Sequence, residues 1–211
     1  MDGLLIDSEP YWEEAGAETM AQYSIQLTPD QYRSTVGLRT REWIDWWFSF
    51  FEIDRQFSED AERTIIAKAI EKIHANALPM PGVHEIFDLF RQEGFKIGLA
   101  TSSPVALVDV VATKLGIADL LDAVSSAELL PNGKPHPQVY LQCAEQMNSR
   151  PVDCICFEDS FYGMIAAKAA RMKCVVIPAP SHYSASRWDA ADLKLSSLEQ
   201  FTKHELDLLK G

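Results

Sequence analysis

At 211 residues, with 47% hydrophobic and 24% charged side chains, the chain suits one sizeable globular domain, or a domain with an insert, and not a disordered or fibrous protein. Its 19 Lys and Arg against 31 Asp and Glu give a formal net charge of −12, which argues against a nucleic-acid partner and obliges any anionic substrate to find local cations. No secretory segment is visible and no apolar run approaches the ~20 residues that span a bilayer, so a cytoplasmic protein without a membrane partner is expected.

The chain opens on Met1-Asp2-Gly3-Leu4-Leu5-Ile6-Asp7-Ser8-Glu9-Pro10, an acid, a glycine and a second acid ahead of any ordinary element. Tyr11 to Tyr23 has amphipathic helical spacing, and Thr28-Pro29-Asp30-Gln31 is a capping box with proline at the first helical position. Trp43, Trp46, Trp47, Phe50 and Phe51 fall at i, i+3, i+4, i+7 and i+8, a stripe expected to pack in a core. Ser58 opens a further helix to about His74. No strand pattern intervenes between Pro10 and Pro79, so this block is all-helical.

Beyond Leu78-Pro79-Met80-Pro81-Gly82 the pattern changes. A helix over 83–93 ends at Gly94, and Phe95 to Ala100 reads as a strand running into Thr101-Ser102-Ser103-Pro104. A helix to about Leu115 is closed by Gly116, followed by a short strand at 123–125 and a helix over 137–147. Cys154 to Phe157 is a buried strand, Tyr162 to Met172 a helix, Cys174 to Ile177 a strand, and 193–195 a small edge strand before a last helix capped by Thr202. Strands alternating with helices of this length predict an α/β fold, a parallel sheet with helices on both faces, whose ligands sit at the carboxyl ends of the strands. The four cysteines, Cys143, Cys154, Cys156 and Cys174, show no paired C-x-x-C spacing and are expected to be reduced and buried.

Unusual polar residues gather at those strand ends. Glu158 and Asp159 follow one strand, and hard carboxylate oxygens suit Mg²⁺, although an acid pair capping the next helix is the plainer alternative. Thr101, Ser102 and Ser103 offer hydroxyls and backbone N–H groups to a phosphate, or simply cap a helix. Lys134, between Gly133 and Pro135, is either a fixed cation for a phosphoryl group or a solvated loop lysine.

Taken in order, Asp-Gly-x-x-x-Asp-Ser, strand-Thr-Ser, Gly-Lys-Pro-x-Pro and strand-Glu-Asp-Ser-x-x-Gly resemble the haloacid dehalogenase-like hydrolases over essentially the whole chain. The opening decapeptide, Lys134-Pro135-His136-Pro137-Gln138-Val139-Tyr140, the run from Gly163 to Met172 and Pro178-Ala179-Pro180 are similar to bacterial hexitol and 2-deoxyglucose-6-phosphate phosphatases, neighbours of β-phosphoglucomutase. The resemblance implies a Rossmann-like parallel-sheet core, residues 1–10 and 79–211, with an inserted all-helical cap, residues 11–78. It implies a Mg²⁺-dependent phosphatase of small sugar or polyol phosphates, such as 2-deoxyglucose 6-phosphate, working through an aspartyl phosphate as a monomer or weak homodimer. A phosphomutase of the β-phosphoglucomutase type and a non-catalytic phosphate-binding remnant are the alternatives.

The implied roles follow residue by residue. In the family pattern Asp-x-Asp-Gly the first acid attacks phosphorus, and the second protonates the leaving alcohol and then activates water; Asp2 matches the second, its carbonyl also a metal ligand. Asp159 and Glu158 match the metal-binding acids, Thr101 the phosphate-holding hydroxyl, with Ser102 and Ser103 beside it, and Lys134 the lysine of the third motif. Arg39 or Arg41, in Gly37-Leu38-Arg39-Thr40-Arg41, matches the substrate-specificity loop, while Glu9, Trp12 and Phe161 are candidate pocket walls and His136 is a turn residue. The first acid and the apolar strand leading to it would stand before Met1, so the expectation is a truncated record or a late start, and an apolar gap in the middle of the sheet.

Overall fold

The structure, a computed structural model, describes residues 1–35 and 38–210. Helix α1 (Glu9–Met20) starts two residues before its apolar spacing predicts, because Pro10 fits a first turn where a backbone N–H has no partner anyway. It is followed by α2 (Pro29–Ser34), α3 (Thr40–Phe50) and α4 (Ser58–Asn76), and no strand interrupts them among the described residues. The capping box at α2 is formed: the Thr28 hydroxyl accepts the Gln31 N–H, and the Gln31 side chain accepts the Thr28 N–H. Helices α1 and α4 lie side by side around Ala15, Ile65 and Ala69, and are tied at the surface where Lys68 and Lys72 meet Glu14 and Glu18.

The aromatic stripe of α3 is turned from its expected centre. Trp43, Ile44, Trp47 and Phe48 are buried, whereas Trp46 and Phe50 are 59% and 62% exposed. A helix buries one arc, and Ile44 and Phe48 extend the 43/47 row on the side away from Trp46 and Phe50.

After the helical block come α5 (Val83–Gln92), β1 (Gly98–Thr101), α6 (Val105–Lys114), β2 (Ala123–Ser126), α7 (Gln138–Gln146), β3 (Ile155–Glu158), α8 (Phe161–Ala169), β4 (Lys173–Val176), β5 (Leu193–Lys194) and α9 (Lys203–Lys210). Gly94 and Gly116 close α5 and α6 with the positive φ that their sequence positions predict. Strand β1 starts later than expected because Ile97 gives its N–H to the Asp122 carboxylate and Phe95 folds edge-on against Phe90. Helix α8 stops at Ala169, short of the predicted Met172, where Arg171 turns to φ +64°.

All strand pairs are parallel, as the alternating pattern requires: β1 with β2 from Gly98↔Ala123 to Thr101↔Ser126, β3 with β4, and β4 with β5. They form two sheets, β1–β2 and β3–β4–β5, and an apolar cleft of about 750 Å³ lies between Leu99 and Ala100 of one edge and Ile155 and Phe157 of the other. Ile6 bridges Pro79 while Asp7 N–H reaches Leu78 and Met80 N–H reaches Leu5, so the helical block leaves and rejoins the α/β part through adjacent backbone. No helix among the described residues is long and apolar enough to cross a membrane.

Candidate active site

The opening stretch folds over the carboxyl ends of β1 and β3, and Gly3 decides how close it comes. Its φ is +64°, and a β-carbon there would stand 2.3 Å from Asp159 Oδ2, so glycine alone lets the turn press Asp2 toward Asp159. The Asp2 carboxylate is held at both oxygens. Oδ1 accepts the Ser8 hydroxyl at 2.7 Å and the Trp12 indole N–H at 2.9 Å, and Oδ2 accepts the Ser103 hydroxyl at 2.6 Å.

Thr101 ends β1 with its side chain buried, accepting the Ser103 N–H at 3.1 Å. Ser126, at the end of the paired strand, donates its hydroxyl to Ser103 O at 2.6 Å and so fixes the turn. Ser102 Oγ is buried without a hydrogen-bond partner among the described residues, and it lines the same pocket as Asp2. A phosphoryl oxygen would satisfy that hydroxyl.

Lys134 and Glu158 pair at 2.5 Å with both side chains under 10% exposed. Tyr140 donates its hydroxyl to the same carboxylate oxygen, while the Ser160 hydroxyl and N–H supply the other at 2.9 and 3.3 Å. Burial pushes the Glu158 carboxyl up, but the Lys134 ammonium and the donated hydrogen bonds outweigh it and hold it below the usual carboxylate range. Burial likewise pulls the Lys134 ammonium down, and Glu158 more than reverses this. Gly163, in the first turn of α8, leaves the space this carboxyl occupies; a β-carbon there would overlap it. Glu158 therefore lies beneath the pocket as the counter-ion of Lys134 and is absent from its lining.

Asp159 differs. Its carboxylate accepts no hydrogen bond from a described residue, and burial, then Glu158 beside it, push it up to about 7. A divalent cation would favour the ionised form, and the Asp159 carboxylate with the Asp2 carbonyl is a hard oxygen donor set suited to Mg²⁺. Among the described residues no three His, Cys, Asp or Glu side chains gather as a metal cluster, so such a cation would complete its shell with water and phosphate.

The pocket over these groups measures about 130 Å³. Asp2, Thr101, Ser102, Lys134 and Asp159 form its floor, and Glu9, Trp12, Tyr32, Thr35 and Trp43 of the helical block form its roof. Burial, then Asp159 and Asp2, push the Glu9 carboxyl up to about 8, so it enters the pocket neutral at pH 7. Tyr32, Thr35 and Trp43 were not foreseen as pocket residues; the stripe spacing of Trp43 predicts only a core position.

Arg39 is placed elsewhere. Its guanidinium donates to the carbonyls of Ala127 at 3.3 Å and Leu130 at 2.8 Å and pairs with Glu42, and it lies against Gly133, where a β-carbon would stand 2.8 Å from Nε. Arg41 pairs with Glu62 at 2.6 Å, and Gly37 lies outside the described residues. Phe161 packs edge-on to Trp188 away from the pocket, and His136 accepts the Gln138 N–H at 3.3 Å in its turn. The four cysteines are free, three buried and Cys154 partly so.

A family model described as haloacid dehalogenase-like hydrolase matches residues 1–171. The chain belongs to the haloacid dehalogenase-like hydrolases. This hydrolase is 40% identical over 207 residues to hexitol phosphatase B of Escherichia coli (strain K12), which covers 98% of this chain and 93% of that protein. It is 30% identical over 171 residues to a phosphorylated carbohydrates phosphatase of Thermotoga maritima, covering 81% and 78% of the two chains. Its fold matches that of β-phosphoglucomutase from Clostridium difficile with a TM-score of 0.86 at 22% identity, over 99% of this chain and 93% of that one. The family resemblance carried by the four ordered motifs thus holds over the chain, with a Rossmann-like parallel core and a helical block.

Proposed function

We propose that this haloacid dehalogenase-like hydrolase is a phosphoric monoester hydrolase of small sugar or sugar-alcohol phosphates, 2-deoxyglucose 6-phosphate among them, that requires Mg²⁺. The observation that carries the reading is the juxtaposition of Asp2 and Asp159 over Gly3, in a pocket also lined by Thr101, Ser102 and Lys134. The kinship with carbohydrate phosphatases supports the substrate class.

In this reading Thr101, Ser102 and Lys134 bind the oxygens of the phosphoryl group and spread its charge, which is most of what phosphoryl transfer asks of a protein. In the family pattern the phosphoryl group passes through an aspartyl phosphate that water then hydrolyses. Asp2 gives a proton to the leaving alcohol and later takes one from water, held in place by Ser8, Trp12 and Ser103. Bound Mg²⁺, held by the Asp159 carboxylate and the Asp2 carbonyl, would supply charge neutralisation at the phosphoryl oxygens. Glu9 and the aromatic roof meet the hydroxylated part of the substrate.

The test is release of inorganic phosphate from a panel of hexose and hexitol phosphates, with Mg²⁺ and with a chelator. Mg²⁺-dependent release supports the proposal. Interconversion of phosphate isomers with little release would point instead to a mutase, and binding without turnover to a non-catalytic protein.

A further inference from the structure

The pocket holds one cationic side chain among the described residues, Lys134, and it stands on the floor already paired with Glu158. The Met1 amine also acts on the floor, upon Glu158 and Asp159. Arg39 and Arg41, on either side of the pocket residue Thr40, are committed elsewhere. Arg39 donates to the carbonyls of Ala127 and Leu130 and pairs with Glu42, and Arg41 pairs with Glu62. Neither arginine lines the pocket.

What the roof offers is neutral. Trp12 and Trp43 bring rings, and the Tyr32 phenol, pushed up by burial and then by Glu9, Glu13 and Asp2, stays an uncharged donor. Glu9 shows what a negative charge meets there: burial is the largest cause of its raised pKa, ahead of the neighbouring acids. An anionic group carried by a substrate to the same place would meet the same burial with no cation to offset it.

We propose that the roof is a charge filter, which admits phosphate monoesters whose remaining part is uncharged and rejects those with a second anionic group, such as bisphosphates and sugar-acid phosphates. The proposal rests on the phosphatase reading above and narrows its substrate class. Lys134 serves the phosphoryl group that is removed, and the rest of the substrate is read by hydroxyls and rings.

The test uses three linear substrates that differ only at C1: glucitol 6-phosphate, an alcohol; gluconate 6-phosphate, a carboxylate; and gluconamide 6-phosphate, which has the carboxylate's shape without its charge. Phosphate release with Mg²⁺ should give a kcat/KM about tenfold or more lower for the carboxylate than for the amide, and within about threefold for amide and alcohol. The loss should sit in KM with kcat within about twofold, because the missing compensation is felt by bound substrate and transition state alike. Leu38→Lys places an ammonium on a residue that lines the pocket, and should raise the carboxylate-to-amide ratio about fivefold or more. That ratio comes from one preparation, so any misfolded fraction cancels.

A carboxylate turned over as well as the amide, an amide as poor as the carboxylate, or a loss carried by kcat alone would overturn the proposal. An unchanged ratio in Leu38→Lys would overturn it too, by placing the discrimination away from the roof. In each of these cases turnover of glucitol 6-phosphate leaves the phosphatase reading standing. If glucitol 6-phosphate and the amide are both left intact, that reading falls and the charge filter falls with it.

Discussion

Glu158→Gln removes one charge from a buried pair and leaves the other uncompensated. Both side chains are nearly shut from water, at 8% exposure for Lys134 and 5% for Glu158, and four donors converge on the carboxylate from Lys134, Tyr140 and Ser160. An amide in its place accepts with one atom but must turn two N–H groups toward donors on the other side. Breaking such a pair at one end costs ~3–5 kcal/mol. With a urea dependence of about 2 kcal/mol/M, the unfolding midpoint should fall by roughly 1.5–2.5 M at pH 7. The carboxyl is held below its ordinary value in the fold, so its contribution is present above the unfolded pKa of about 4.3 and is lost as pH falls through the lower folded value; the deficit of the variant should narrow below about pH 4. Adding Lys134→Met to Glu158→Gln removes the stranded ammonium and should recover most of the loss. The reasoning is refuted by a single variant within about 1 kcal/mol of the parent, or by a double variant no more stable than the single one.

Asp159→Asn should abolish Mg²⁺-dependent turnover, and near-normal activity would sink the metal assignment. In the parent, calorimetric Mg²⁺ affinity should rise with pH through about 7, since burial and Glu158 keep the Asp159 carboxyl protonated below that and a cation needs it ionised. Glu9 has its folded pKa raised to about 8, chiefly by burial and then by Asp159 and Asp2, so the fold retains a proton that the unfolded chain releases, and stability declines as pH rises from the unfolded value toward 8. Glu9→Gln should therefore raise the thermal midpoint at pH 8 and leave it unchanged near pH 4; equal shifts at both would argue that the carboxyl is ionised in the fold. Gly3→Ala meets both a left-handed φ and the Asp159 carboxylate, and a thermal midpoint and Mg²⁺ affinity equal to the parent's would show that the opening turn is not as tight as described.

The order of elements was legible because its signals are local. Gly94 and Gly116 mark helix ends through their own φ, Thr28 and Gln31 through a reciprocal cap, and the polar residues after β1 and β3 through their position behind apolar strands. What escaped depends on long-range contacts. Arg39 lies 88 positions from Ala127, and nothing near it in sequence announces that its partners are carbonyls of a distant loop. Tyr140 reads as one more apolar position of α7, and only the fold brings its hydroxyl to Glu158. That one neighbouring acid is consumed by an internal pair while the other lines the pocket without a hydrogen bond from a described residue is likewise decided by which way each strand-end side chain turns. Trp43 was correctly read as buried, but a single ring both fills a core and roofs a pocket.

The parting of the sheet has a mechanical consequence. Thr101 rides on β1 and Asp159 follows β3, so these two pocket-lining residues stand on separate rafts of strands. Among the described residues no ladder of hydrogen bonds runs from β1 to β3; across the cleft the rafts are linked by apolar contacts and by the opening stretch. Hydrogen-bond ladders fix register, whereas apolar contacts tolerate sliding. The hydrogen bond from Ser103 to Asp2 is what ties the turn after β1 to the opening stretch that Gly3 presses against Asp159.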